Sequence, residues 1–157
     1  MSNDYERSTS SNDSNVDAND VVRQRIKEIA SRIGVRYLFA SMYEANVVIG
    51  DGEFPVLIDV LPTSGSVTVW QNVFSDAPNC MLFFCDKTEL DYNAEKEQPT
   101  IARMKRLAFE FIAECNRSGY FEAITEASYQ IMYDRMDVTV SGIALSLTLK
   151  DAVGSCI

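Results

Sequence analysis

Hydrophobic side chains recur along this chain with two different periods, and the period switches where Gly, Pro, Asn and Asp cluster. Val22, Ile26, Ile29 and Ile33 follow at i, i+4, i+7 and i+11, the spacing of one helix face. Asp20 is the predicted N-cap of that helix and Gly34 its C′ residue. Arg23, Arg25, Lys27, Arg32 and Arg36 cover its other faces. A clearer stripe runs through Ile101, Met104, Ala108, Phe111, Ile112 and Cys115, with Pro99 expected at N1 and Gly119 as the stop. Charges on this second helix run against the macrodipole: Arg103, Lys105 and Arg106 come early, Glu110 and Glu114 late. Arg106 and Glu110 are spaced to pair at i, i+4, and a neighbouring subunit is the other source of compensation.

Between and after the helices the pattern is that of strands. Val35–Ala40 reads as a short strand, and Ser41-Met42-Tyr43-Glu44 has capping-box spacing, so 42–48 is open to either a short helix or a strand. Gly50-Asp51-Gly52 is a turn, and Phe54–Leu61 is a β-rich run with Pro55 near its start. Ser66–Trp70 alternates polar and apolar, which predicts one wet face. Residues 71–79, with Pro78-Asn79, read as a loop. Cys80–Cys85 is apolar throughout and predicts a central strand buried on both faces. Asp86–Gln98 reads as a long acidic loop. Tyr129–Tyr133 and Val138–Leu149 are strands joined through residues 134–137, with Gly142 placed for a bulge or a close approach. The expected fold is α+β: a mainly antiparallel sheet with an N-terminal helix and one long amphipathic helix on one face, spanning residues 20–157 as a single domain.

Residues 1–19 are mostly Ser, Asn and Asp and carry too little apolar surface to offset ordering entropy, so a flexible polar arm is expected there. The first residues lack a basic segment followed by an apolar one, and no apolar run reaches the ~20 residues of a membrane span. Net charge is −9, unevenly placed: residues 1–20 carry −4, 21–36 carry +4, 37–98 carry −8 and 99–157 carry −1. Such a chain offers few clustered cations for phosphate contacts. A solvated surface is one reading of these blocks; a bipolar subunit whose basic first helix meets an acidic neighbour is the other.

The chain has no histidine, which removes Ser-His-Asp and Cys-His nucleophile activation and the imidazole ligands of zinc and iron. Of the four cysteines, Cys85 and Cys115 are expected in the core, and the spacing of Cys80 and Cys85 within an apolar strand does not suit a zinc knuckle. Asp86, Glu89 and Asp91 lack the spacing and turn glycine of a calcium loop. Asp134 and Asp137 flank Arg135, which suggests local pairing over acid–base work. The glycines form no phosphate-binding fingerprint. Neither a cofactor nor a metal is expected, and no catalytic residue is assigned. Trp70, Phe74, Tyr92, Tyr120 and Tyr129 stand beside polar stretches, where an exposed subset would make a protein interface.

Several segments in order carry a resemblance to a known family. They are Glu44-Ala45-Asn46, Phe54-Pro55-Val56, Leu61-Pro62, Asn79-Cys80 leading to Phe83-Phe84, and Asp86-Lys87-Thr88. Asn116-Arg117-Ser118-Gly119, Tyr129 through Tyr133-Asp134, and Asp137-Val138 with Gly142 follow. Over about residues 20–150 the chain resembles the neck and tail-completion proteins of tailed bacteriophages, in the form carried by phages of Bacteroides-like hosts. The resemblance implies a structural virion protein, a subunit of a six- or twelve-fold ring at the head–tail junction or tail end, assembled in the host bacterial cytoplasm. Its neighbours would be portal, neck and tail proteins, with DNA passing through the channel. Arg23, Arg25, Lys27, Arg32, Arg103, Lys105 and Arg106 are then candidate interface residues, and Glu89, Asp91, Glu95 and Glu97 a candidate acidic lining that repels passing DNA. The alternatives are a monomeric adaptor binding a protein partner through a sheet edge, and a small carboxylate- or metal-dependent enzyme.

Overall fold

A computed structural model of the chain describes residues 18–41, 44, 54–88, 94–135 and 140–156. Helix α1 spans Ala18–Arg32 and buries Val22, Ile26, Ile29 and Ala30, the predicted stripe. It begins two residues before the expected N-cap. Ala18, Asn19 and Asp20 belong to its first turn. The end is as read: Gly34 has φ 75°, and the Gly34 and Val35 amides donate to the Ser31 and Ala30 carbonyls at 3.2 and 3.0 Å, a Schellman closure.

Strand β1 (Arg36–Ala40) pairs in parallel with β2 (Val56–Val60), and the other pairings among the described residues are antiparallel. A parallel pair needs a crossover, and residues 41–55 provide it. Of that segment's predicted capping box, Ser41 and Glu44 are described: Glu44 Oε2 accepts from the Ser41 amide at 3.1 Å and Ser41 Oγ from the Glu44 amide at 3.3 Å. The remaining residues of 42–48 lie outside the described residues.

Strands β3 (Gly65–Trp70) and β4 (Val73–Lys87) form a hairpin closed by Gln71 and Asn72, with Gln71 at φ 52°. Of the expected loop over 71–79, residues 71 and 72 form the turn and 73–79 are strand. Pro78 fits because it stands where β4 passes from one sheet to the other: pairing with β3 ends at Gly65–Pro78, and pairing with β6 begins at Asn79–Thr148. A missing N–H costs nothing at that seam.

Helix α2 spans Ala94–Ser118, so the acidic loop expected over 86–98 is shorter than read: β4 continues to Lys87, and Pro99 lies inside the helix instead of at N1. The Ala-Glu-Lys-Glu-Gln run before Pro99 consists of strong helix formers. Glu95 and Glu97 thereby sit near the helix start and Arg117 in its last turn, so the charge order at both ends agrees with the macrodipole, unlike the order read from Pro99 onward.

Strand β5 (Ser128–Arg135) takes in Asp134 and Arg135, expected in the connection; Asp137 lies outside the described residues. Strand β6 (Val140–Thr148) and the short β7 (Ser155–Cys156) complete the fold. The main sheet runs β1-β2-β4-β6-β5, while β3 and β7 flank the first half of β4.

Both helices pack on one face, as expected, over Leu57, Leu82, Phe84, Ile143, Leu145 and Leu147. Phe84 meets Phe111 of α2 edge-on, with ring centroids 5.8 Å apart. Val56, Ile58, Phe83, Cys85, Val140 and Ala144 form a second buried cluster on the other face. The centre of β4 is thus covered on both sides, as predicted, except at the exposed Met81. Gly142 is the close approach the sequence suggested: a Cβ there would lie 1.8 Å from the Phe84 carbonyl oxygen, beside an irregularity in β5 between Met132 and Arg135.

Gly142→Ala is expected to cost about 3 kcal/mol, the upper part of the overpacking range, because backbone blocks the added methyl. Gly34→Ala meets nothing within 4 Å and should cost only the left-handed backbone penalty, about 1–2 kcal/mol. Urea denaturation of both variants checks the order; equal losses would contradict it.

Candidate functional site

All six residues of β3 are exposed, on both faces of the ribbon. This corrects the expectation of a single wet face: neither face of β3 is buried, while the β4 half of the hairpin is half-buried to buried. Val67 and Val69 are more than half exposed, and Trp70, at the turn, is 74 % exposed. Val69 lies opposite Phe74 and Trp70 opposite Val73, so apolar groups appear on both faces of the ribbon's end. From Gly65 to Ser75 the chain has no charged residue.

The root of this arm is tightly held. Ser75 Oγ donates to the Asp151 carbonyl at 2.7 Å, and the Asp151 amide donates to the Asp76 carbonyl at 3.0 Å. The Asp151 carboxylate in turn accepts from Arg25 of α1 at 2.8 Å. On the other side, Thr148 Oγ1 donates to Asn79 Oδ1 at 2.8 Å and Asn79 Nδ2 to Ser64 Oγ at 3.0 Å, a polar ladder from β6 through β4 to the start of the hairpin. Beside that ladder opens a groove of about 650 Å³. Val60, Leu61, Pro62, Met81 and Leu147 give it apolar walls, Ser41, Thr63 and Ser146 add hydroxyls, and none of the described lining residues carries a charge.

A second exposed apolar surface lies at the opposite edge of the main sheet. Strand β5 pairs only with β6 among the described residues, and Tyr129, Ile131 and Tyr133 are exposed along one of its faces. Phe109 of α2 is exposed next to them, and Lys105 Nζ stands 4.8 Å from the Tyr129 ring centroid and 5.8 Å from that of Phe109. An open edge strand bearing aromatic groups is a template for pairing with another chain.

The candidate basic residues divide. Arg23 lies over the Phe39 ring at 4.6 Å. Arg25 is committed to Asp151 and the Tyr120 carbonyl; Arg32 meets Glu28, Glu114 and the Tyr120 hydroxyl. Arg103 meets Asp86 at 3.3 Å and Arg106 meets Glu110 at 3.2 Å, the predicted i, i+4 pair. Lys27 is exposed. Arg25, Arg32, Arg103 and Arg106 are thus paired with acids of their own chain. Of the candidate acids, Glu95 is exposed near the start of α2, Glu97 lies in the same helix, and Glu89 and Asp91 are outside the described residues, as is Tyr92.

Asp59 is a feature the sequence reading passed over. It is 2 % exposed; its Oδ2 accepts from the Tyr37 hydroxyl at 2.8 Å, and its Oδ1 accepts from no described residue. Desolvation pushes its pKa up to about 6, with the Tyr37 hydrogen bond and the Arg23 charge pulling the other way. Its only sequence signal was an acid inside an apolar run. Cys80, Cys85 and Cys115 are buried, and desolvation pushes each thiol up to about 12, which suits packing and not nucleophilic chemistry. Among the described residues no three Cys, Asp or Glu converge on a metal-sized site, and no helix is long and apolar enough to cross a membrane.

No protein-family model matches the chain, and a search of curated proteins finds no relative.

Because the pKa of Asp59 is raised on folding, its contribution to stability is complete below the unfolded value near 3.8 and is lost as pH rises through about 6. Asp59→Asn, which keeps an acceptor for Tyr37, should be more stable than the wild type by roughly 3 kcal/mol above that pH, with the difference vanishing near pH 4. Urea melts from pH 4 to 8 check this; a pH-independent difference would contradict it.

Proposed function

We propose that the chain is a structural subunit of a homo-oligomeric ring in the neck or tail of a tailed bacteriophage, serving head–tail connection or tail completion. The observation that carries this reading is the pair of unlike apolar surfaces on one chain: the hairpin with Trp70 at its turn, and the open β5 edge with Tyr129, Ile131 and Tyr133. Unlike surfaces suit head-to-tail contacts, which close into rings when the rotation permits. The anchoring of the hairpin by Asp151, Arg25 and the Ser64–Asn79–Thr148 ladder supports its use as a stiff arm. The segment resemblance to phage neck proteins supplies the context: a ring of six or twelve copies, formed in the host cytoplasm, built into the virion beside portal and tail proteins. An acidic lining that includes Glu95 and Glu97 would keep the passing genome from adhering.

A second reading, a monomeric adaptor, is favoured by the β5 edge alone, since a partner strand can add to it. Negative-stain imaging and sedimentation of the purified protein separate the two. Rings of six or twelve copies are expected, alone or on the purified portal or neighbouring ring; a single chain under all these conditions would contradict the ring.

Reversing Glu89, Asp91, Glu95 and Glu97 to Lys should leave assembly intact and lower the infectivity of particles carrying the variant. Undiminished infectivity would contradict the acidic lining.

A further inference from the structure

The two faces of the β3–β4 hairpin differ. Directly opposed residues of an antiparallel pair share a face, so Val67 with Asp76 and Val69 with Phe74 put three apolar groups and one carboxylate on one side. Ser66, Thr68, Ser75 and the pair Trp70–Val73 fall on the other. Asp76 is the one charged residue from Gly65 to Asn79.

The β5 edge carries the opposite sign. Tyr129, Ile131 and Tyr133 are exposed along one face with Phe109 beside them, and Lys105 stands over the Tyr129 and Phe109 rings. Arg103 and Arg106 of the same helix are paired with Asp86 and Glu110. Lys105 and Asp76 have no ion-pair partner among the described residues. Each surface is thus an alternating apolar row with one uncompensated charge, acidic on the hairpin and basic at β5.

The two surfaces do not meet within one chain. Leu82 of β4 is in register with Leu145 of β6, and Leu145 with Tyr129. From Asp76 to Leu82 the chain runs roughly 20 Å at the ~3.4 Å rise of an antiparallel strand, and two strand spacings add about 10 Å sideways. Other stretches of the chain match β5 less well. Residues 1–17 are acidic but have only Met1, Tyr5 and Val16 as large apolar groups, with no alternation. Residues 42–53 are tied at both ends to β1 and β2, at the other edge of the sheet. Residues 89–93 and 136–139 are short links whose ends are already fixed.

We propose that the Val67–Val69 face of one copy's hairpin packs on the β5 edge of the next, with Asp76 of the first against Lys105 of the second. The incoming carboxylate offsets the cost of removing water from Lys105, and the valines and Phe74 cover the tyrosines and Ile131. The partner being a second copy rests on the ring reading. The contact makes each subunit donor to one neighbour and acceptor to the other.

Asp76→Lys and Lys105→Glu each set like charges against one another at this contact and should weaken assembly at least about 10-fold in sedimentation. Asp76→Asn keeps the side-chain shape and should weaken it in the same direction by less, which guards against a hairpin disturbed by lysine. An equimolar mixture of the two reversed variants should assemble as tightly as the wild type. Where they alternate, the reversed hairpin of one meets the reversed β5 edge of the other, and the remaining contacts are unaltered. Assembly indifferent to all three substitutions, as it would be if a segment of the same chain covered Lys105, would overturn the contact and leave the ring standing. So would a mixture of folded variants that fails to recover. Recovery in a closed two-fold dimer would uphold the contact and remove the ring. A wild type that stays a single chain, alone and with its neighbouring rings, would overturn both.

Discussion

Everything in this fold depends on β4 serving two sheets at once. Its second half lies between β2 and β6, beneath both helices, with Leu82 and Phe84 on one side and Phe83 and Cys85 on the other. Its first half continues out of the core and carries β3 and β7. The arm shares one strand with the best-packed part of the molecule. The close contact of Gly142 with the Phe84 carbonyl is where the main sheet admits no side chain at all, and it sits in the half of β4 that must not move.

The polar groups follow the same division. At the seam between the halves, Asp151 takes hydrogen bonds and charge from Arg25 and is bonded to Ser75, while Asn79 spans Ser64 and Thr148. Beyond Asp76 the end of the hairpin, residues 65–75, has no charged side chain, and Val67, Val69 and Trp70 face solvent. Within the core, by contrast, Asp59 keeps one oxygen without a partner among the described residues, and three thiols are held neutral by burial. A burial cost of that kind lowers stability and creates no reacting group.

Much of the architecture was legible in the sequence, because the helical stripes and the apolar run of Cys80–Cys85 are local patterns with a single solution. The glycine stops at Gly34 and Gly119, both at positive φ, and the tight approach at Gly142 were legible for the same reason. The failures have a common cause: a strong local signal was overruled by neighbours far away in sequence. Pro78 and Pro99 were read as boundaries, yet one lies at the seam of two sheets and the other inside a helix begun by good helix formers. The candidate interface was only half visible. The alternation of Val67, Val69 and Trp70 showed a strand, but whether anything covered its apolar face was a tertiary fact. The basic residues were conspicuous by sequence, and most of them are satisfied within the chain, because Asp151, Glu114 and Asp86 approach from distant segments.

The proposed ring covers the apolar hairpin that β4 carries with another copy of the chain. Amide hydrogen exchange on the wild type, followed from dilute to concentrated protein, tests this most directly. Residues 80–85 should be equally protected throughout, while protection across residues 66–74 rises as the assembly forms. Hairpin amides whose exchange stays constant while the mass increases would contradict it.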